Sequence, residues 1–572
     1  MKKSTLILFL LFCWGFGFSQ IRFDVLYDSK TTIRGDYRTF LYGKHSSDAS
    51  SFFHGIHFRQ DSIYLGSDTA FLADPIFFKS LLYKVNRVGK MEWARVCNNT
   101  NNSGIISASV IKDKVYLVYF SQQQAPIGLF DGTTLPSIHK LAVFLSVLES
   151  NGDVLFTKEI AHTDSVMSYF YGLPQITAND AGEIFICGNV MGHWDFQGYK
   201  KNWLPRKNFY NQDIWQFFVT KYSSNGTLVW INDSISQSYP DRPEMLYSEL
   251  NRQLVIGQSF SDTLKFENGK IFVAKDPVIA SGKDNFALAL NDSGGFIWST
   301  HFNSGFAVLS AINPNPDSTY NFTISTAGEP LKVNGNGMPY NGYVYVVELN
   351  KDGNATFVHG GTSKNYNYIV DEKNGLNGSK FFQYYSNSIS YLLGDSSISE
   401  EDSAFNTCIW WIKDNVILNK IQFSHPKRVF AEFVFQDKDY SYFTLYYRDT
   451  CEINGKKLTI DTTYGHTTFI RIPNTYMSGI EVSKKDKLKM ATQLNLYPNP
   501  AQSKVTATFQ PANNAPTQIN IADGMGNVLK TYSAPAFVNA INMDIAELKP
   551  GLYFLLFDNK YWKEGRTLLI KE

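Results

Sequence analysis

The sequence predicts an all-β protein, a seven-bladed β-propeller followed by a small immunoglobulin-like β-sandwich, and three observations carry that expectation. The 572-residue chain holds 33 Tyr and 44 Phe, punctuated by Gly and Asn, with almost no sustained helical period. Such enrichment suits strands rather than helices. A double-hairpin pattern recurs at about 50 to 70 residues, the spacing of repeat blades rather than of one core. Near the C-terminus a charged stretch, "SKKDKLKM", separates this array from an independent alternating pattern.

The repeat is clearest around one turn. In "LLYKVNRVGKMEW", "FLSVLESNGDVLF", "FVTKYSSNGTLVW", "FALALNDSGGFIW" and "YVYVVELNKDGNATF" the turn glycines are Gly89, Gly152, Gly226, Gly294 and Gly353. An apolar residue lies eight before each, another four before, and an aromatic four after: Trp93, Phe156, Trp230, Trp298 and Phe357. Asn, Asp and Gly supply positive φ at a hairpin turn, and even offsets set the apolar residues on one sheet face. These aromatics therefore read as core. "TCIWWIKDNVILN" is a degenerate sixth copy, with Asn415 in place of the glycine.

A second hairpin precedes each of these, as in "FHGIHFRQDSIYLG", "SASVIKDKVYLVYF" and "PQITANDAGEIFICG". Its second strand is expected to begin near Ile63 in the first module and near Ser390 in the sixth. Between the hairpins, "LFDG", "DFQG", "FENG", "KVNG" and "EING" form a short apolar-x-Gly element that the first and sixth modules are expected to lack. Three of the four strand types occur seven times but the fourth only six, so an N-terminal strand, "IRFDVLYD", is expected to close the last blade and hide its edge. The modules resemble the degenerate propeller repeats of exported bacterial proteins. A six- or eight-bladed ring and two stacked sandwiches are the alternatives.

The N-terminus, "MKKSTLILFLLFCWGFGFSQ", has two lysines, an apolar run and small residues, the form of a secretory signal cut after Ser19. A lipoprotein route through Cys13 is disfavoured because Phe12 stands where a small residue is wanted. The apolar run is too short and wrongly flanked for a membrane-spanning helix, and no later segment approaches the roughly 20 apolar residues one requires. Loss of Lys2 and Lys3 takes the formal charge from +1 to −1, and with no basic block the chain lacks a nucleic-acid footprint. Cys97, Cys187, Cys408 and Cys451 lie far apart without a spacing pattern, and isolated thiols are preferred to a disulfide framework.

The expected organisation is a signal at 1–19, a propeller over 20–475, a linker at 476–493 and a terminal domain over 494–572. In that last domain, "LNLYPNPA", "DGMGNVL", "LKPGLYFL" and "LLIKE" follow in order. Together they resemble the C-terminal sorting domain of type IX secretion in Bacteroidetes. The resemblance implies that Tyr497, Pro498, Asn499, Pro500, Gly526, Gly551, Tyr553 and Lys571 belong to a sorting signal read by the type IX machinery. It also implies a product that is secreted or attached to the outer-membrane surface after removal of signal and tail. Triplets such as those at Asp61, Asp68, Asp164 and Asp262 resemble the O-glycosylation sequence of the same bacteria.

Little in the body points to chemistry. His54 and His57 are three apart, which on a strand puts them on opposite faces, and no hydrolase, zinc or phosphate-loop motif is present. Asn and Asp in "NDSGG" and "NKDGN" serve the turn rather than calcium. No catalytic residue, metal or cofactor is assigned. The longest insert, "GHWDFQGYKKNWLPRKNFYNQDIW", gathers Trp194, Tyr199, Trp203, Arg206, Lys207 and Tyr210 as a candidate surface for a glycan or surface-protein ligand, although such aromatics can equally pack on their own sheet. A non-enzymatic binding or adhesion protein is the preferred reading. A secreted propeller enzyme acting on polysaccharide or peptide is the alternative, since two carboxylates could meet in a central channel.

Overall fold

The computed structural model describes residues 24–474 and 495–570, apart from short connecting stretches within them, the longest being 275–282 and 509–516. The expected signal, the linker and Lys571 lie outside the described residues. All described elements are β-strands. The chain divides into two compact units, 1–478 and 479–572.

The first unit repeats one antiparallel pattern. Strands Tyr37–His45, Ser51–Phe58, Phe78–Asn86 and Met91–Asn99 pair in that order. The same order recurs in Ser103–Ile111, Lys114–Gln122, Leu141–Leu148 and Val154–Thr163. Further sets begin at Tyr169, Glu244, Ala307 and Asp371. A last set is Val429–Gln436, Tyr440–Arg448 and Tyr464–Pro473, whose fourth place is filled by Asp24–Thr32 from the N-terminal end. Eight residues of that strand pair with Tyr464–Arg471, so the edge of the last sheet is covered from the other end of the unit.

The hairpin between the second and third strands of a module lies on the outer strand of the module before it. His162 pairs with Asp195 of the next module, Ser236 with Lys265, Phe302 with Val333, and Phe423 with Ile453. The second module's hairpin, Ile127–Gly128 with Thr134–Leu135, approaches so closely that a β-carbon at Gly128 would lie 2.0 Å from the Asn98 carbonyl oxygen. This corrects the expectation for two modules. Ile63–Leu65 and Thr69–Phe71 are the docking hairpin of the first module, and Ile63–Leu65 pairs with Asp24–Thr32. In the sixth, Ser390 lies in the hairpin where 388–393 pairs with 396–401, which docks on Ala355–Ser363. A short apolar strand leading into a turn reads the same whether it belongs to the ladder or to the docking hairpin.

Because neighbouring sheets stack face to face, the middle strands are buried on both sides and successive residues enter different cores. Ile184 and Ile186 pack with Val118, Val143 and Leu145 of the preceding sheet. Phe185 and Cys187, between them in sequence, pack with Leu254, Ile256 and Phe286 of the following one. Phe52 joins Phe435, Tyr442 and Phe469 across the junction of first and last modules, while Phe53 turns toward Val115 and Leu117.

The recurring aromatic fixes each junction. Trp93, Trp230 and Trp298 donate their indole N–H to the carbonyls of Ser150, Asp292 and Lys351, at 2.9, 2.9 and 2.8 Å. Each acceptor lies two residues before the next module's turn glycine. A β-carbon at Gly152, Gly226, Gly294 or Gly353 would lie 3.0, 2.8, 2.9 or 2.7 Å from Trp93, Phe156, Trp230 or Trp298. The turn glycine is thus required both for its positive φ, 85°, 77°, 82° and 78° at these four, and as the floor beneath the ring of the preceding module.

In the second unit, Asn495–Tyr497, Lys504–Thr508 and Ala540–Asp544 form one sheet. Val528–Ala534, Thr517–Ala522, Gly551–Asp558 and Lys563–Ile570 form the other. Val505, Ala507 and Met543 of the first share a core with Ile519, Ile521 and Leu555 of the second. Tyr553 is buried at its margin and donates to the Lys549 carbonyl at 2.8 Å. Pro498, Asn499, Pro500 and Gly526 lie outside the described residues.

The double duty of the turn glycine is separable by mutation. Gly269→Ala, at a φ of 80° with open space around it, is expected to cost about 1–2 kcal/mol. Gly353→Ala must also displace Trp298 and should cost about 1–3 kcal/mol more. Urea unfolding of the two variants measures the difference, and equal midpoints would remove the ring-on-glycine contact from the explanation.

Candidate functional site

The aromatic insert is the docking hairpin of the third module. Its strands run within Ile184–Phe196 and Tyr199–Trp203, joined at Gln197 and Gly198, whose φ values of 51° and 96° are those of a primed hairpin turn. Trp194 is 2% exposed, donates to the Met191 carbonyl at 3.1 Å and meets Phe170 edge-on at 5.9 Å. It belongs to the core shared by the second and third sheets. Tyr199 and Trp203 pack half-buried against the same core, Trp203 edge-on to Phe196. Lys201 lies over the Tyr199 ring at 5.2 Å and pairs with Asp233 at 3.2 Å, while Lys200 is exposed, 3.8 Å from Asp195. Arg206 and Lys207 form a short strand paired with Ile214 and Asp213, and Tyr210 lies outside the described residues. The insert therefore divides into a buried anchor, Trp194, and a half-exposed outer strand, Tyr199–Trp203.

Several polar groups that sequence reasoning could take for chemistry hold backbone instead. The Asn291 carboxamide oxygen accepts from the amides of Ser293 and Gly295, and that of Asn350 from Asp352 and Asn354. Asp284, fully buried, accepts from His301 Nε2 at 3.0 Å, Asn303 Nδ2 at 2.7 Å and the amides of Ser304 and Gly305. Cys97, Cys187 and Cys451 are buried free thiols, and burial pushes Cys97 and Cys451 up to about 12. Such thiols are poor nucleophiles.

His54 and His57 face opposite ways. His57 bridges Ser80 Oγ at 2.7 Å and the Ile105 carbonyl at 2.8 Å in the second module. His54 faces the last module, stacked on Tyr446 at 5.6 Å, and its Nε2 finds no hydrogen-bond partner among the described residues. Burial lowers its pKa to about 3.

Sequence reasoning missed one cluster. His139 and His162 stack with ring centroids 3.6 Å apart and planes within 6°. Glu159 Oε1 lies 2.7 Å from His162 Nδ1 and 3.7 Å from His139 Nε2. On its other side, His139 Nδ1 donates to Asp164 Oδ2 at 3.0 Å, which holds the Asp164 carboxyl below its ordinary range. Glu159 and His162 are three apart and would face opposite ways on a regular strand. The ladder slips here: Val143 pairs with Ala161 and Phe144 with Glu159, leaving Ile160 as an extra residue. This bulge buries Ile160 and Ala161 together and brings Glu159 and His162 to one side.

The described residues form two separate all-β units, a repeat body and a two-sheet sandwich. Residues 495–571 match the family described as the secretion system C-terminal sorting domain, which indicates secretion by the type IX system and hence a cell-surface or secreted location. No curated protein matches the chain. Among solved structures it is similar to Trypanosoma rangeli sialidase, at 8% identity and a TM-score of 0.30 over 84% of this chain and 85% of that one. It is similar to an ACO/RPE65 chimera at 11% identity and a TM-score of 0.29, over 55% of this chain and 60% of that one. A tetra-tandem repeat from the extending region of a large adhesion protein gives 8% identity and a TM-score of 0.13, over 84% of this chain and 96% of that one. Likeness at this level assigns no activity. No helix among the described residues is long and apolar enough to cross a membrane.

The buried imidazole of His54 makes stability pH-dependent. Between pH 6.5 and about 3 the unfolded chain holds a proton on this residue that the folded chain does not. Stability is therefore expected to fall on acidification below about pH 6.5, by up to about 1.4 kcal/mol per pH unit from this site. His54→Phe should flatten that slope in urea titrations from pH 7 to 4, and an unchanged slope would assign the acid sensitivity elsewhere.

Proposed function

We propose that the body is a seven-bladed β-propeller delivered by type IX secretion as a non-enzymatic binding or adhesion module, after removal of a signal peptide and of the sorting domain. The single observation that carries the exported role is the match over residues 495–571. The propeller reading is supported by the recurring four-strand order, by docking hairpins laid on preceding modules and by the N-terminal strand in the last sheet. The ligand is a glycan or a surface protein, and it meets the docking-hairpin side. There the outer strand of the third hairpin offers Tyr199, Lys200 and Trp203, with Arg206, Lys207 and Tyr210 following in sequence. Rings beside cations suit stacking on sugars or anchoring a protein partner. Trp194 supports this strand from beneath.

Two measurements test the reading. The exported protein, incubated with a panel of bacterial and host polysaccharides, is expected to bind without releasing new reducing ends or unsaturated products. Trp203→Ala should weaken that binding about tenfold. Turnover abolished by one carboxylate substitution would favour the secreted-enzyme alternative. In the producing cell, deletion of residues 494–572 is expected to leave the protein in the periplasm, and undiminished export would overturn the role of the tail.

A further inference from the structure

The cluster of His139, Glu159, His162 and Asp164 has more of the features of a coordination site than of a surface ion pair. Two imidazoles and a carboxylate are a ligand set for zinc and similar ions, and their ligand atoms all lie within 4.8 Å of one another. A tetrahedral ion with bonds of about 2.0–2.1 Å sets its ligands about 3.4 Å apart. The separations from Glu159 Oε1, 2.7 and 3.7 Å, bracket that value. The second feature is independent of the first. Asp164 accepts from His139 Nδ1, which leaves Nε2, 3.7 Å from Glu159 Oε1, as the ring nitrogen open to an ion, the carboxylate–histidine arrangement that orients a metal ligand. Third, among the described residues the short ionisable contacts of the Glu159 and Asp164 carboxylates run to the two histidines and to no lysine or arginine.

We propose that His139 Nε2, His162 Nδ1 and Glu159 bind one borderline divalent transition-metal ion, of which zinc is the type, with Asp164 as the positioning residue for His139. Because the rings now stack in parallel, ion binding requires both to rotate out of the stack until each ring plane contains the ion. Coordination through Nδ1 uses the form of His162 that carries its proton on Nε2. The site joins the connection before Leu141–Leu148 to the outer strand Val154–Thr163, where the third module's hairpin docks through the pairing of His162 with Asp195. Gln197 of that hairpin donates to the Glu159 carbonyl at 3.1 Å, so the ion would stiffen the joint between two modules.

The test is calorimetric titration of the chelator-stripped full chain with zinc chloride, with calcium chloride as the oxygen-preferring control and thermal unfolding as a second readout. One equivalent of zinc is expected to bind and raise the unfolding temperature, with no effect of calcium. His162→Ala and His139→Gln should each weaken binding at least tenfold, Asp164→Asn about 10- to 100-fold, and His193→Ala, at an exposed position outside the cluster, not at all. His139 lies on a connection rather than in a strand, so His139→Gln remains readable if His162→Ala does not fold. Absence of a zinc equivalent, or wild-type affinity in His139→Gln, would overturn the proposal.

Discussion

Everything in the first unit depends on the burial of its middle strands from both sides. A sheet covered on one face alone could alternate apolar and polar residues. Here neighbouring residues such as Ile184 and Phe185 enter different cores, so both phases of the alternation are buried. The ring-on-glycine contact sets how each sheet registers on the next: an indole or phenyl ring needs a turn without a β-carbon, and the indole N–H needs the carbonyl two residues earlier. Register within a sheet and register between sheets are thus fixed at the same turn.

Much of this was legible because the turn concentrates local chemistry. Asn, Asp and Gly mark the turn for backbone reasons, and the aromatic four residues later marks the face turned to the neighbour. The docking hairpins were only partly legible. Where an x-Gly turn announced them they could be separated from the ladder. In the first and sixth modules the apolar strands at Ile63 and Ser390 looked like ladder strands, because a two-residue alternation carries no information about which partner a strand will take. The candidate metal site was hidden by the same rule that correctly separated His54 from His57. That rule assumes an unbroken pleat, which holds between Ser51–Phe58 and Phe78–Asn86 and fails at Ile160. Trp194, conspicuous in sequence for its cationic neighbours, proved to be core because it lies on the inner of the hairpin's two strands.

The two units differ in what they reveal about function. The terminal sandwich matches a family with a defined role in secretion, and the match covers nearly all of its described strands. The body exposes its architecture more readily than its ligand, since the groups that look chemically suggestive, Asp284, Asn291, Asn350 and the buried thiols, are engaged in holding the backbone or filling the core. The docking hairpins differ in length and sequence from one module to the next, while the strand order of the sheets beneath them recurs.

The last sheet has a mechanical consequence. Its outermost strand comes from the N-terminal end, so the strand from which the chain departs toward the tail, Tyr464–Pro473, is interior, laddered to Tyr440–Arg448 on one side and Asp24–Thr32 on the other. A pull on the tail would load both ladders in shear, along the strand, instead of peeling an edge one hydrogen bond at a time. Unlike an edge strand, Tyr464–Pro473 must break two ladders to leave the sheet.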